Sequence, residues 1–268
     1  MARAALAFGA LLRRWRRQRG LTQLTLSLDA GVSARHLSWL ENDRATPSRA
    51  MVLRLAERLD VPLRERNALL QAAGFAPMFE ARALDDPGLH ATVQRLLDLH
   101  DPWPALAVDR HWNIVAGNRM LGLLLQVVDP ALRAPPMNAL RLSLHPRGLA
   151  PMIENLGAWR AHVLARLTRA AEAGADATLA ALLAELRGYP GKISAATDSA
   201  SADAVAVPLV LHTPFGRLAF LTTVTVFGAP QDVTLSELAV ETLLPADAAT
   251  ADRLRELHAQ GQATAVAA

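Results

Sequence analysis

Two short apolar repeats joined by a single glycine constrain this chain more than any other feature. Residues 21–44 read LTQLTLSLDAGVSARHLSWLENDR. Thr22 and Ser33 are residue types whose side-chain oxygen satisfies the free amides at a helix start. Gly31 supplies the tight turn between them. The spacing predicts one helix from Thr22 to Ala30 and a second from Ser33 to about Glu41. At roughly 100° per residue, Leu37 and Leu40 fall on one face of the second helix, with Ala34 and Glu41 beside them. Arg35, Trp39 and Asn42 lie opposite, flanked by His36 and Ser38. So short a helix must bury its apolar face against neighbours while its polar face stays free.

The neighbours are legible in the same way. From Leu6 to Ala73 the pattern is helical, in segments broken by Gly20, Gly31, Pro47 and Pro62. Gly20 ends a first helix. Thr46 followed by Pro47 reads as a cap and a first-turn proline that open a fourth, and a fifth starts near Pro62. The expectation is an all-α five-helix domain over residues 1–74. A linker over 75–88 follows, where Pro, Gly and charge replace the periodicity.

Charge divides at the same place. Residues 1–73 hold 13 arginines against 6 acidic residues, and the remainder holds 15 basic against 19 acidic, which together give the net +3. A basic first third on a mildly acidic remainder suggests a polyanion-binding module. No cysteine is present, which excludes disulfides, thiolate catalysis and thiolate zinc sites. No apolar run reaches the roughly 18 residues of a membrane span. At the N-terminus the basic cluster follows the apolar run and no small-residue cleavage site is visible, so a secretion signal is not expected. A cytoplasmic protein without membrane contact is the expectation.

Residues 6–64 closely resemble the lambda-repressor-like (Cro/C1, or XRE) helix-turn-helix family. The resemblance is carried by Arg16, Gly20-Leu21-Thr22-Gln23, Ala30-Gly31-Val32-Ser33, Leu37, Leu40-Glu41-Asn42, Arg44 and Pro47. It implies sequence-specific binding of double-stranded DNA, with Ser33–Asn42 as the recognition helix in the major groove. Gln23 would contact DNA, and Arg16 and Glu41 would form an ion pair between the first and third helices. The outer face then offers Ser33, Arg35, His36, Ser38, Trp39, Asn42 and Arg44 to DNA, with Arg35 reading a base and Arg44 meeting phosphate. Asp43 departs from the glycine common in the family and sets a carboxylate near the expected phosphate path. Arg13, Arg14, Arg17 and Arg19 face either DNA or solvent, and Trp39 faces either DNA or a neighbouring helix. A homodimer is expected, because one helix reads only a few base pairs.

Residues 89–259 alternate differently. Ala105–Val108 and Trp112–Val115 suggest a hairpin, Asn118–Val127 a helix, Leu149–Ala173 a long helix, and Asp176–Leu186 another. Gly188–Ala204 is a small-residue loop. VAVPLVLH and RLAFLTTVTVF around TPFG read as a second hairpin, Ala239–Leu244 as a further strand, and Ala246–Ala259 as a closing helix before a disordered tail, 260–268. That is an α+β domain with an antiparallel sheet. From His90 onward it resembles the MmyB-like regulator ligand-binding domain, through Pro102–Asn118, Asn138–Leu149, Asn155–Leu167, Val207–Phe220 and Asp232–Asp247. The resemblance implies a PAS-like fold able to hold a fatty-acid-like molecule.

Leu106, Val108, Ile114, Leu121, Trp159, Phe220 and Thr222 would line an apolar cavity or simply fill a core. Arg160 or His145 would meet a carboxylate. The histidines lack metal spacing, so no metal or resident cofactor is expected. Nor is an enzyme, since no Gly-rich phosphate loop, G-x-S-x-G elbow or H-E-x-x-H pair occurs. The alternative is a DNA-binding regulator whose second domain only dimerises or docks a protein, with no ligand.

Overall fold

The helix punctuation of the first third is realised closely. The computed structural model describes residues 7–174, 176–191 and 206–266. The chain divides into two compact units, Met1–Ala83 with Gly228–Ser236, and Leu84–Phe227 with Glu237–Ala268.

Among the described residues, the first unit opens with five helices: α1 (Phe8–Gln18), α2 (Gln23–Asp29), α3 (Ala34–Glu41), α4 (Arg49–Arg58) and α5 (Leu63–Ala72). The Thr22 and Ser33 hydroxyls accept from the amides of Thr25 and His36, as their positions suggested. Gly20 and Gly31 both sit at positive φ (67° and 63°), which lets the chain reverse after α1 and α2. The fourth helix begins later than its proline implied. Ser48, not Thr46, is the cap, and Pro47 lies outside the helix; the Ser48 hydroxyl accepts the Met51 amide at 3.2 Å, and that bond sets the start. Leu12, Leu26, Leu37, Leu40, Leu55, Leu59 and Leu70 are fully buried between the helices.

The expected linker is partly tied down. Asn67 of α5 accepts the amides of Met78 and Phe79 and donates to the Phe79 carbonyl. Glu80 bridges Asp232, whose carboxylate also accepts the Arg82 amide, and the Thr234 hydroxyl donates to the Arg82 carbonyl. The segment Gly228–Ser236, distant in sequence, therefore completes the first unit.

The second unit opens with α6 (Pro87–Asp98), a helix the sequence reading did not name and whose first two residues fell in the expected linker. Asp86 caps it and Pro87 starts it. Five strands follow: β1 (Ala105–Val108), β2 (Ile114–Gly117), β3 (Leu209–Thr213), β4 (Gly216–Val226) and β5 (Ala239–Pro245). They form one antiparallel sheet in the order β2-β1-β5-β4-β3, so the last strand lies between the two hairpins. Between the hairpins run α7 (Arg119–Leu125), α8 (Ala139–Leu144), α9 (Leu156–Gly174) and α10 (Ala177–Gly188). The short α11 (Val233–Glu237) lies between β4 and β5 in the chain, and through Ser236 it belongs to the first unit.

Two expected boundaries move. The long helix starts at Leu156, not Leu149, because Ala150–Met152 form a 3-10 turn and Ile153 bridges Leu211. The closing helix α12 spans Ala248–Val266, so the tail expected to be disordered is helical through 266. Gly261 is the weakest helix former in that stretch, and about 1 kcal/mol does not stop a helix already under way. The expected loop Gly188–Ala204 lies largely outside the described residues.

Candidate nucleic-acid interface and ligand cavity

Helix α3 presents two faces of opposite character. Leu37 and Leu40 are fully buried and Glu41 is 2 % exposed, whereas Trp39 is 40 % exposed. The Arg35 guanidinium lies over the Trp39 ring, 4.6 Å from its centroid, and Arg35 is itself exposed. His36 and Ser38 flank them, partly exposed. A cation held over an indole is pre-oriented without being neutralised. Arg44 is exposed just beyond the helix, where its amide donates to the Trp39 carbonyl at 2.8 Å.

What holds this face in place is a buried ion pair. Arg16 of α1 grips Glu41 with two hydrogen bonds, Nε to Oε1 at 2.6 Å and Nη2 to Oε2 at 2.9 Å. Gln23 adds a third, Nε2 to Oε2 at 2.8 Å, and the Arg13 guanidinium lies 3.5 Å away. Burial pushes the Glu41 carboxyl up, but the Arg16 and Gln23 hydrogen bonds and the Arg16 and Arg13 charges outweigh it and hold the group below the usual carboxylate range. A two-pronged guanidinium–carboxylate contact fixes orientation as well as distance, so α1 and the start of α2 are both keyed to the end of α3.

Gly9 permits that approach. A Cβ there would stand 2.5 Å from the Leu40 carbonyl oxygen and 2.7 Å from that of Glu41. Asp43 closes the same junction. It takes φ = 54°, which aspartate tolerates better than most residues, and its Oδ1 accepts the Gly9 amide at 2.9 Å. The carboxylate that the sequence reading set near the phosphate path is thus directed at the start of α1, where the helix dipole favours it.

In the second unit, one face of α9 meets one face of the sheet. Trp159, His162, Val163, Arg166 and Leu167 recur at helical spacing and face Leu106, Thr222, Glu241 and Leu243 from β1, β4 and β5. Sheet register brings Glu241 opposite Leu106 and Val224, and Thr222 opposite Leu243. A cavity of about 80 Å3 remains between them, closed on the other sides by Leu121, Leu125, Leu140, Leu142 and Leu149. An adjoining cleft of about 550 Å3 shares His162, Arg166 and Thr222 with it and adds Arg169, Val207 and Val224.

The polar edge of the cavity is well defined. Arg166 donates Nη1 to Glu241 Oε1 at 2.6 Å and lies over Trp112, 4.1 Å from the ring centroid. The Trp159 indole donates to the Ser143 hydroxyl at 2.7 Å and stacks on His162. Burial, with the charges of Arg166 and Arg169, lowers the His162 pKa and so favours the neutral ring.

Both units have counterparts among known families. The family model described as the MmyB-like transcription regulator ligand binding domain matches residues 89–257, and one described as a helix-turn-helix domain matches residues 7–69. This chain is an MmyB-like transcription regulator. No curated protein matches it. The two domains together make the MmyB-like regulator a DNA-binding protein, and among its described residues no helix is long and apolar enough to cross a membrane.

The sequence-derived DNA set does not sit uniformly in the regulator. Arg35, Trp39 and Arg44 are exposed, and His36 and Ser38 partly so. Gln23 is anchored to Glu41, which turns its amide nitrogen inward. Ser33 caps its own helix. Asn42 is held at both ends, donating to the Ser38 carbonyl and accepting from Arg13, each at 2.7 Å. Of the four arginines left open on α1, Arg13 also donates to the Glu41 carbonyl, and Arg19 donates to the Leu59 and Asp60 carbonyls that end α4. Arg14 and Arg17 remain exposed.

The cavity set divides as well. Leu106, Ile114, Leu121, Trp159 and Thr222 line the cavity. Val108 and Phe220 are buried and lie on the same sheet face by alternation, but they fill core outside it. Arg160 is buried with its guanidinium on the carbonyls of Leu186, Arg187 and Pro190, closing the end of α10. His145 ends α8 and accepts the Arg147 amide. Neither lines the cavity. Arg166 and Glu241, which the sequence reading passed over, do; the available signal was the one charged residue in the strand AVETLLP.

Proposed function

We propose that the regulator reads DNA as a lambda-repressor-type homodimer in the cytoplasm, with the helix Ser33–Asn42 in the major groove, and that a small apolar ligand in the PAS-like second unit modulates it. The exposed Arg35–Trp39 pair, on a helix whose opposite face is buried and locked by Arg16–Glu41, carries the reading. A bidentate arginine–guanine contact contributes roughly 1–3 kcal/mol of discrimination, and Arg35 is the exposed arginine on this helix. Arg44, exposed just beyond the helix, would meet phosphate and supply affinity without sequence preference. Paired half-sites would lie about 34 Å apart, one turn of duplex.

The cavity supports a ligand of modest size. A volume of about 80 Å3 is less than the roughly 150 Å3 that admits benzene in an engineered protein, so a longer chain must extend into the adjoining cleft or displace side chains. Fluorescence anisotropy on a cognate duplex tests the phosphate assignment. Arg44→Ala should weaken cognate and random duplexes alike and lower the salt slope by about 1 unit. An unchanged slope would remove Arg44 from the interface.

A further inference from the structure

We infer, building on the ligand-sensing reading above, that the cavity selects an uncharged apolar molecule, and that Glu241 sets this preference by occupying the arginine an acidic head group would need. The ionisable groups on the cavity wall are His162, Arg166 and Glu241. Arg166 is held by Glu241 at 2.6 Å and faced by Trp112, burial and the neighbouring Arg166 and Arg169 charges disfavour a charged His162, and Glu241 is 8 % exposed. Among the described residues, the one guanidinium on the wall is thus matched by the one carboxylate. A carboxylate brought to Arg166 would have to displace Glu241 or lie beside it, and a second buried carboxylate without its own cation is strongly disfavoured.

An alcohol, ester or ketone meets no such opposition. Its oxygen can accept from a guanidinium N–H not engaged by Glu241 or from the Thr222 hydroxyl. The apolar remainder takes the leucine-lined interior. Arg169 stands outside, in the cleft, exposed to water, where screening weakens its hold on an anion. Arg160 and His145, the groups expected from sequence to meet a carboxylate, line neither the cavity nor the cleft. A fatty-acid-like ligand thus keeps its tail in this account and loses its acid.

Titration calorimetry of the full chain with 1-octanol, octanoate and octylammonium at neutral pH tests this. Octanol should bind at least tenfold more tightly than either ion. Glu241→Gln should cut the preference for octanol over octanoate at least tenfold by strengthening octanoate, which generic partitioning of an alcohol would not produce. Octanoate binding as tightly as octanol to the wild type overturns the inference, as does octanoate binding that Arg169→Gln abolishes. If Glu241→Gln fails to fold, titration of carboxyl-labelled octanoate by carbon NMR decides the matter. A bound carboxyl shifted above its free pKa supports the inference, and one shifted below it overturns it. Binding of none of the three compounds defeats the ligand-sensing reading itself.

Discussion

Replacing Glu41 by glutamine keeps the side-chain shape and removes the charge that Arg16 faces. Arg16 is 9 % exposed and Glu41 2 %, so the variant leaves a largely buried guanidinium without its counter-ion. It also sets an amide where Gln23 and Arg16 both need an acceptor. Removing one partner of a buried pair costs about 3–5 kcal/mol. Domains of this size are stable by about 5–15 kcal/mol in all, so the first unit should become marginal. Hydrogen exchange in α1 and α3 reads this unit separately from the other. Amide protection there should fall by about two to nearly four powers of ten, at roughly 1.4 kcal/mol per factor of ten. The pair Arg16→Met with Glu41→Leu should recover most of the loss, because apolar replacement of a buried pair is often neutral or stabilising.

The pH dependence has a fixed sign. The folded Glu41 carboxyl lies below its ordinary pKa, so its contribution is complete above that ordinary value. It fades as pH falls through the lowered one. Glu41→Gln should lack that component of acid unfolding. A cost below about 1 kcal/mol, of the order of an exposed pair, would refute the claim that this ion pair locks the reading helix.

Three further outcomes follow from the same geometry. Gly9→Ala drives a Cβ into backbone oxygens at 2.5 and 2.7 Å and should cost about 1–3 kcal/mol; Gly122→Ala, where a Cβ meets nothing within 4 Å in α7, should gain about 0.5–1 kcal/mol, and thermal melts compare them. Asp43→Ala loses the Gly9 amide's acceptor and places alanine at positive φ, so it should cost about 1–3 kcal/mol in urea unfolding. Arg160→Met should loosen the end of α10, seen as faster exchange there, while leaving octanol affinity within twofold; a larger loss of affinity would return Arg160 to the ligand site.

Local features of this fold were readable from sequence and distant ones were not. Thr22, Gly31 and Ser33 act within three or four residues of themselves, so the turn and both helices could be placed before any tertiary contact was known. The inward and outward faces of α3 followed from periodicity alone. Asp43 acts across 34 residues on Gly9, and Arg166 across 75 on Glu241; no spacing rule reaches that far. The Arg16–Glu41 pair, equally remote in sequence, came from resemblance to a family. Helix α6 was missed although Asp86-Pro87 is a sound start signal, because the Pro and Gly around it read as linker. The insertion of β5 between the hairpins had no local mark, and with it went the position of Glu241.

Selection of bound sites from random duplexes, run in parallel with the wild type and Arg35→Ala, bears most directly on whether α3 reads sequence. The wild type should enrich one short motif in two half-sites, and Arg35→Ala should enrich the same motif with the preference at one base position in each half-site gone. An unaltered motif in the variant, or no enrichment by the wild type, would contradict it.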